Sequence, residues 1–143
     1  MLNFIKTLFK RKPKMTKHEI INETIEFYSA DISRRSTNPV SNLGCAYNFE
    51  NGNHCAVGRV LLPKYQKQGT KLLGNTAVIS TLILEQKVKS VDELLLPKYR
   101  GHDVRFWRKL QCLHDRGFYW QDGGLTDQGL DYANELLETY KSN

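Results

Sequence analysis

The sequence predicts a mainly α fold with one small β-hairpin, an α+β domain at residues 16–143 behind a basic N-terminal extension at 1–15. Three observations carry this. Capping residues stand ahead of apolar stripes of helical period at three places. An Asn-Gly pair lies between two short alternating runs. The 143 residues are 40% hydrophobic and 25% charged, which suits one soluble domain with an ordinary core.

Thr16-Lys17-His18-Glu19 is a capping box, and Ile20, Ile21, Ile25 and Phe27-Tyr28 follow it, so 17–30 is the first core helix. Residues 31–44 are rich in Ser, Asn, Pro and Gly without periodicity and are expected to be a loop. Cys45 to Val57, turning at Asn51-Gly52, is the hairpin candidate. In either hairpin register Cys45 and Cys55 are too far apart to bridge. The run from Cys55 to Leu62 also fits a short helix ending before Pro63. Val57-x-x-x-Leu61-Leu62-Pro63-Lys64-Tyr65 recurs 34 residues later as Val91-x-x-x-Leu95-Leu96-Pro97-Lys98-Tyr99. Two copies are too few for a solenoid and indicate one short helix-to-Pro turn used twice. Ser90-Val91-Asp92-Glu93 is a second capping box. Residues 76–84, within a Pro-free stretch from Lys71 to Gln86, are assigned to a buried helix. Phe106, Trp107, Leu110 and Leu113 define a helix over 103–116, capped by Asp103 and ended by Gly117. After a turn at Gly123-Gly124, Thr126 caps a last helix at 127–141.

The net charge of +6 resolves on inspection into two parts. Residues 1–17 hold Lys6, Lys10, Arg11, Lys12, Lys14 and Lys17 with no acid, and the remainder balances 15 basic against 15 acidic residues. Excess charge therefore belongs to the extension, where Met1, Phe4, Ile5 and Leu8 also form a helical apolar stripe before Pro13. Lys6, Lys10, Arg11, Lys12 and Lys14 are the binding candidates for a polyanion, either nucleic-acid phosphates or an anionic membrane surface; the alternative is a solvated tail. No apolar run reaches the roughly 18 residues that a membrane-spanning helix needs. Lys6 also breaks the pattern of a secretory signal. Three cysteines do not make a disulfide scaffold, so the expected compartment is the cytoplasm.

Chemistry-bearing residues are few. Cys55 beside His54, with His114-Asp115, supplies the residue types of a cysteine hydrolase or transferase. Against this, neighbours on a helix do not face one another, so Asp115 is not expected to orient His114. His114 falls about 40° from Leu110 on the apolar stripe, where a backbone-satisfied core-edge histidine is the plainer assignment. Cys45, Cys55 and Cys112 lack metal-ligand spacing, and Cys112 points about 200° from Leu110, so no metal is expected. Phosphate-binding glycine loops and dinucleotide fingerprints are missing, so no cofactor is expected either. Arg105, Arg108, Lys109 and Arg116 face outward on the 102–116 helix. With Gly117-Phe118-Tyr119-Trp120, Gly123-Gly124-Leu125-Thr126 and the last helix, they resemble a winged-helix reader; against it, Asp103 and Asp115 dilute the charge and no second strand is convincing, so a solvated helix face is the plainer assignment.

Cys45-x-Tyr47, Gly52-x-x-Cys55-Ala56-Val57-Gly58, Leu62-Pro63, Tyr65, Leu110-Gln111-x-x-His114-Asp115 and Trp120 together resemble a family of short bacterial and phage proteins without an assigned activity. The resemblance covers 45–125, and Lys64 departs from it where that family often has an acid. It implies that Tyr47, Cys55, His114, Asp115 and Trp120 gather at one place, and brings no activity with it. The expected function is a non-enzymatic phage- or prophage-type binding module acting on a host or viral macromolecule. The alternatives are a cysteine enzyme using Cys55 and His114, and a winged-helix-like DNA binder.

Overall fold

The structure, a computed structural model, describes residues 14–35, 45–46, 55–69, 73–74, 83–84 and 86–142. The extension at 1–13, Tyr47, the Asn51-Gly52 turn and most of the 31–44 and 76–84 segments lie outside the described residues. Among the described residues the helices α1 (Lys17–Ala30), α2 (Pro63–Gly69), α3 (Val104–Asp115) and α4 (Asp127–Thr139) dominate. Two small antiparallel pairs join them: β1 (Cys45–Ala46) with β2 (Leu73–Gly74), and β3 (Trp120–Gln121) with β4 (Gly124–Leu125). The fold is mainly α with a small β-hairpin.

Each of the three long helices starts where a side chain can take an orphan amide. Thr16 Oγ1 accepts from Glu19 N at 3.1 Å, Asp103 Oδ1 from Phe106 N at 2.9 Å, and Thr126 Oγ1 from Gly129 N at 3.1 Å. The second capping box works differently. Ser90 makes no side-chain cap bond, Glu93 Oε2 accepts from Lys89 N at 2.7 Å, and Val91–Leu94 forms a 3-10 turn. Gly117 opens another 3-10 turn, Gly117–Tyr119, and does not end α3 in a left-handed conformation.

The Asn51-Gly52 turn lies outside the described residues, and its described flanks do not pair with each other. Cys45 pairs with Gly74, while Ala56-Val57 turn into a 3-10 segment at Gly58–Val60, so 55–57 is not a strand and the short helix offered for 55–62 is reduced to that one 3-10 turn. Leu73-Gly74, just ahead of the helix assigned to 76–84, is the strand that pairs with 45–46. The described hairpin is Trp120↔Leu125 and Gln121↔Gly124, closed by Asp122-Gly123. Gly123 (φ +89°) and Gly124 (φ +145°) occupy backbone space that L side chains avoid. A Cβ on Gly124 would sit 3.2 Å from Ser29 Oγ, so the hairpin is seated against α1.

The 34-residue repeat is structural and self-paired. Leu61 bridges Leu95 antiparallel, Leu62 N donates to Leu94 O at 2.8 Å, and Leu96 N donates to Val60 O at 2.9 Å. Exchanging the copies turns one bond into the other, a local pseudo-two-fold. Each copy is a 3-10 turn, a bridging leucine and a proline opening the next helical turn, where its missing N–H costs nothing. Glu23 of α1 ties both copies down: its Oε1 accepts from Arg59 at 2.9 Å and from the Tyr99 hydroxyl at 2.6 Å. Between these layers lie Ile20, Ile21 and Tyr28 of α1, Leu61, Leu94 and Leu95 of the repeats, and Phe106, Trp107, Leu110 and Leu113 of α3, all 0–1% exposed. Burial of each such side chain favours the fold by about 1.5–3 kcal/mol.

Candidate functional site

Two groups of residues stand out, one interior and one on the surface. The first is the Cys55, His114, Asp115 and Trp120 cluster. The turn at 55–58 is closed internally, with Gly58 N donating to Cys55 Sγ at 3.2 Å and Arg59 N to Cys55 O at 3.0 Å. Across it, Val57 N donates to Gln111 Oε1 at 3.1 Å. Gln111 Nε2 donates in turn to Asp115 Oδ1 at 2.6 Å, and His114 Nδ1 approaches the same oxygen at 3.1 Å. Gln111 and Asp115 are one helical turn apart, so their meeting follows from the period. The His114–Asp115 contact overturns the expectation that adjacent helical residues cannot meet. Asp115 is the last residue of α3, where the following backbone has turned extended at Arg116 and its carboxylate can fold back.

His114 is fully buried and its Nδ1 is satisfied by a carboxylate, not by backbone as expected; its Nε2 has no hydrogen-bond partner among the described residues. The ring meets Tyr28 edge-on at 4.9 Å, and Tyr28 meets Trp120 at 5.9 Å. Trp120 Nε1 donates to Leu113 O at 2.8 Å. Arg35 closes the top of the cluster: its Nε and NH2 donate to His114 O at 3.1 and 2.6 Å, and its guanidinium lies 5.7 Å from the Trp120 ring centre. Burial pushes the His114 ring below the ordinary histidine range; Asp115 pulls it up by hydrogen bond and charge, and Arg35 pushes it down. The turn at 55–58, Gln111, His114, Asp115 and Trp120 are thus one connected interior group. Tyr47 lies outside the described residues. Gln111 is the member that sequence reasoning undervalued. Its place one turn before Asp115 was the available signal.

This group clasps the 55–58 turn to α3, and Cys55 and His114 within it are both 0% exposed. A buried thiol that accepts a backbone N–H behaves as a small hydrophobe. Among the described residues no three His, Cys, Asp or Glu side chains gather as a metal site.

The second group is the outward face of α3. At about 100° per residue, Arg105, Arg108, Lys109, Cys112 and Arg116 fall within an arc of about 100°. Arg105, Arg108 and Arg116 are exposed, and Lys109 and Cys112 are half-buried. The two acids expected to dilute this charge are both engaged: Asp103 caps Phe106 N, and Asp115 takes bonds from Gln111 and His114. Among the described residues no ion pair joins Arg105, Lys109 or Arg116 to a carboxylate. Arg116 Nε donates to Cys112 Sγ at 3.2 Å and its guanidinium lies 5.8 Å from the Tyr119 ring centre. The Tyr132 hydroxyl donates to Lys109 O at 3.2 Å, fastening α4 behind this face. Burial raises Tyr132 well above the ordinary phenol range, with Cys112 and Tyr119 adding to it, so that donor stays protonated. Asp127, Asp131, Glu135 and Glu138 form a separate exposed row on α4. The neutral sum of the body therefore conceals segregated charge.

The extension's Lys6, Lys10, Arg11 and Lys12 lie outside the described residues, and the chain meets the body at Lys14 and Met15. Met15 N donates to Lys98 O at 3.0 Å, and Met15 O is 2.8 Å from His102 Nε2. No described helix is long and apolar enough to cross a membrane. No family model, curated protein or solved structure matches the chain.

Proposed function

We propose that this protein is a non-catalytic binding module that engages the phosphodiester backbone of a nucleic acid through the outward face of α3. The supporting observation is the row Arg105, Arg108, Lys109 and Arg116: four cations in one arc, on a helix whose own acids are turned to capping and interior bonds. From Arg105 to Arg116 the row is about 16 Å long, over which one strand of a duplex presents about five phosphates. Lys6, Lys10, Arg11, Lys12 and Lys14 of the extension add sequence-independent phosphate contacts in this reading. Burial of Cys55 and His114 favours a binding role over a cysteine enzyme.

The test is the salt dependence of oligonucleotide binding by fluorescence anisotropy. Four engaged cations contribute a slope of log K against log salt of about −3.6 on duplex DNA and about −2.8 on a single strand. Arg105→Gln/Arg108→Gln should make the measured slope shallower by about 1.8 on duplex or about 1.4 on single strand. An unchanged slope with a folded double variant refutes the assignment of this face.

A further inference from the structure

Building on that reading of α3, we infer that the nucleic acid taken by this face is single-stranded, with one unstacked base resting on the Phe118 ring. Phe118 is 56% exposed and lies two residues after Arg116, the last cation of the row, with Gly117 between them. A single exposed apolar residue means little in itself. This one is presented on a stiff support. Phe118 O accepts from Thr126 Oγ1 at 2.7 Å, Tyr119 N donates to Arg116 O at 3.0 Å, and Thr126 N donates to Tyr119 O at 2.9 Å. Behind it Tyr119 meets the Phe118 ring edge-on at 4.7 Å and stacks on Tyr132 at 5.1 Å and 23°. An aromatic platform at the end of a cationic track is the arrangement that binds single strands: cations follow the backbone while a ring takes a base.

The hairpin argues in the same direction. A wing that docks on duplex DNA offers its tip to the backbone, and this tip carries the exposed acid Asp122, while β4 is seated on α1 through Gly124. Asp122 would repel a second strand brought alongside. Bases inside a duplex are stacked on both sides and have no face to give Phe118, so away from duplex ends the ring favours the single strand.

The experiment uses the full-length protein and three labelled probes at one ionic strength: a dT 12-mer, a blunt 12-base-pair duplex, and a 12-mer of abasic deoxyribose phosphates. Phe118→Ala should weaken dT binding roughly tenfold while changing the duplex and the abasic strand less than about twofold. Phe118→Tyr should restore dT binding. Circular dichroism confirms that each variant is folded, which the exposure of Phe118 favours. Equal loss on all three probes, or loss on none, overturns the inference. Arg105→Gln/Arg108→Gln separates the two proposals. If it weakens all three probes while Phe118→Ala changes none, the base platform is wrong and the cationic face stands; if it changes none, the face itself is wrong.

Discussion

Replacing Gln111 with Leu probes the interior clasp most sharply, because it removes the polar amide while keeping an apolar side chain of comparable volume. Gln111 is 2% exposed, accepts from Val57 N at 3.1 Å and donates to Asp115 Oδ1 at 2.6 Å. The substitution leaves a buried backbone N–H without that acceptor, which costs about 1–3 kcal/mol. It also removes a hydrogen bond to a carboxylate, worth about 1.5–3 kcal/mol. Leucine returns part of this by burying apolar surface, so a net loss of about 2–4 kcal/mol is expected. For a chain of this size that lowers the melting temperature by roughly 4–16 °C. Urea denaturation followed by circular dichroism at pH 7.5 reads the change, with an unaltered m-value showing that two-state unfolding persists. A midpoint within error of the parent would mean that Gln111 does not hold the 55–58 turn. The motif Gln111-x-x-His114-Asp115 would then have to be explained by a ligand.

Three further outcomes follow from the same geometry. Gly129→Ala, which would stabilise a free helix by about 1 kcal/mol, should instead destabilise by about 1–3 kcal/mol, because its Cβ would lie 2.2 Å from Tyr119 O. Gly117→Ala, with nothing within 4 Å, is the control, and equal behaviour of the two variants would contradict the packing of α4 on Tyr119. His114 titrates below the ordinary histidine range in the fold and near 6.5 when unfolded, so the unfolded chain binds the extra proton between those values. The stability due to neutral His114 is therefore full above about pH 6.5 and lost as pH falls toward the folded value; His114→Asn should flatten that part of the urea-midpoint profile, and an unchanged slope would contradict its burial. Iodoacetamide should label half-buried Cys112 in the native protein and Cys55 only on unfolding; rapid labelling of native Cys55 that is slowed by His114→Ala would restore the enzyme alternative.

What the sequence revealed was local. Helices α1, α3 and α4 were legible because each couples a capping side chain to an apolar stripe long enough to show its period. The outward set Arg105, Arg108, Lys109 and Arg116 was legible for the same reason. Strands two residues long carry no measurable period, so the Trp120–Leu125 hairpin showed only as a wing-like turn at Gly123-Gly124 without a convincing second strand, while Asn51-Gly52 drew attention to a segment whose Cys55–Val57 limb is not a strand. The repeat was visible in the letters, but its pairing through Leu61 and Leu95 is long-range and leaves no local mark. The His114–Asp115 contact was missed because the rule for neighbours in a helix was applied at its last residue, where the backbone no longer obeys it. The role of Gln111 depended on Val57, 54 residues away, which spacing alone cannot reveal.

The most direct test of the central claim is to locate a bound dT 12-mer on the full-length protein by amide chemical-shift mapping. The proposed function and the platform at Phe118 together predict shifts on Arg105, Arg108, Lys109, Cys112 and Arg116, continuing through Gly117–Tyr119, with the interior amides of Val57 and Gly58 unmoved. Shifts confined to residues 1–17, with α3 silent, would contradict it and leave the basic extension as the only part of the chain that touches nucleic acid.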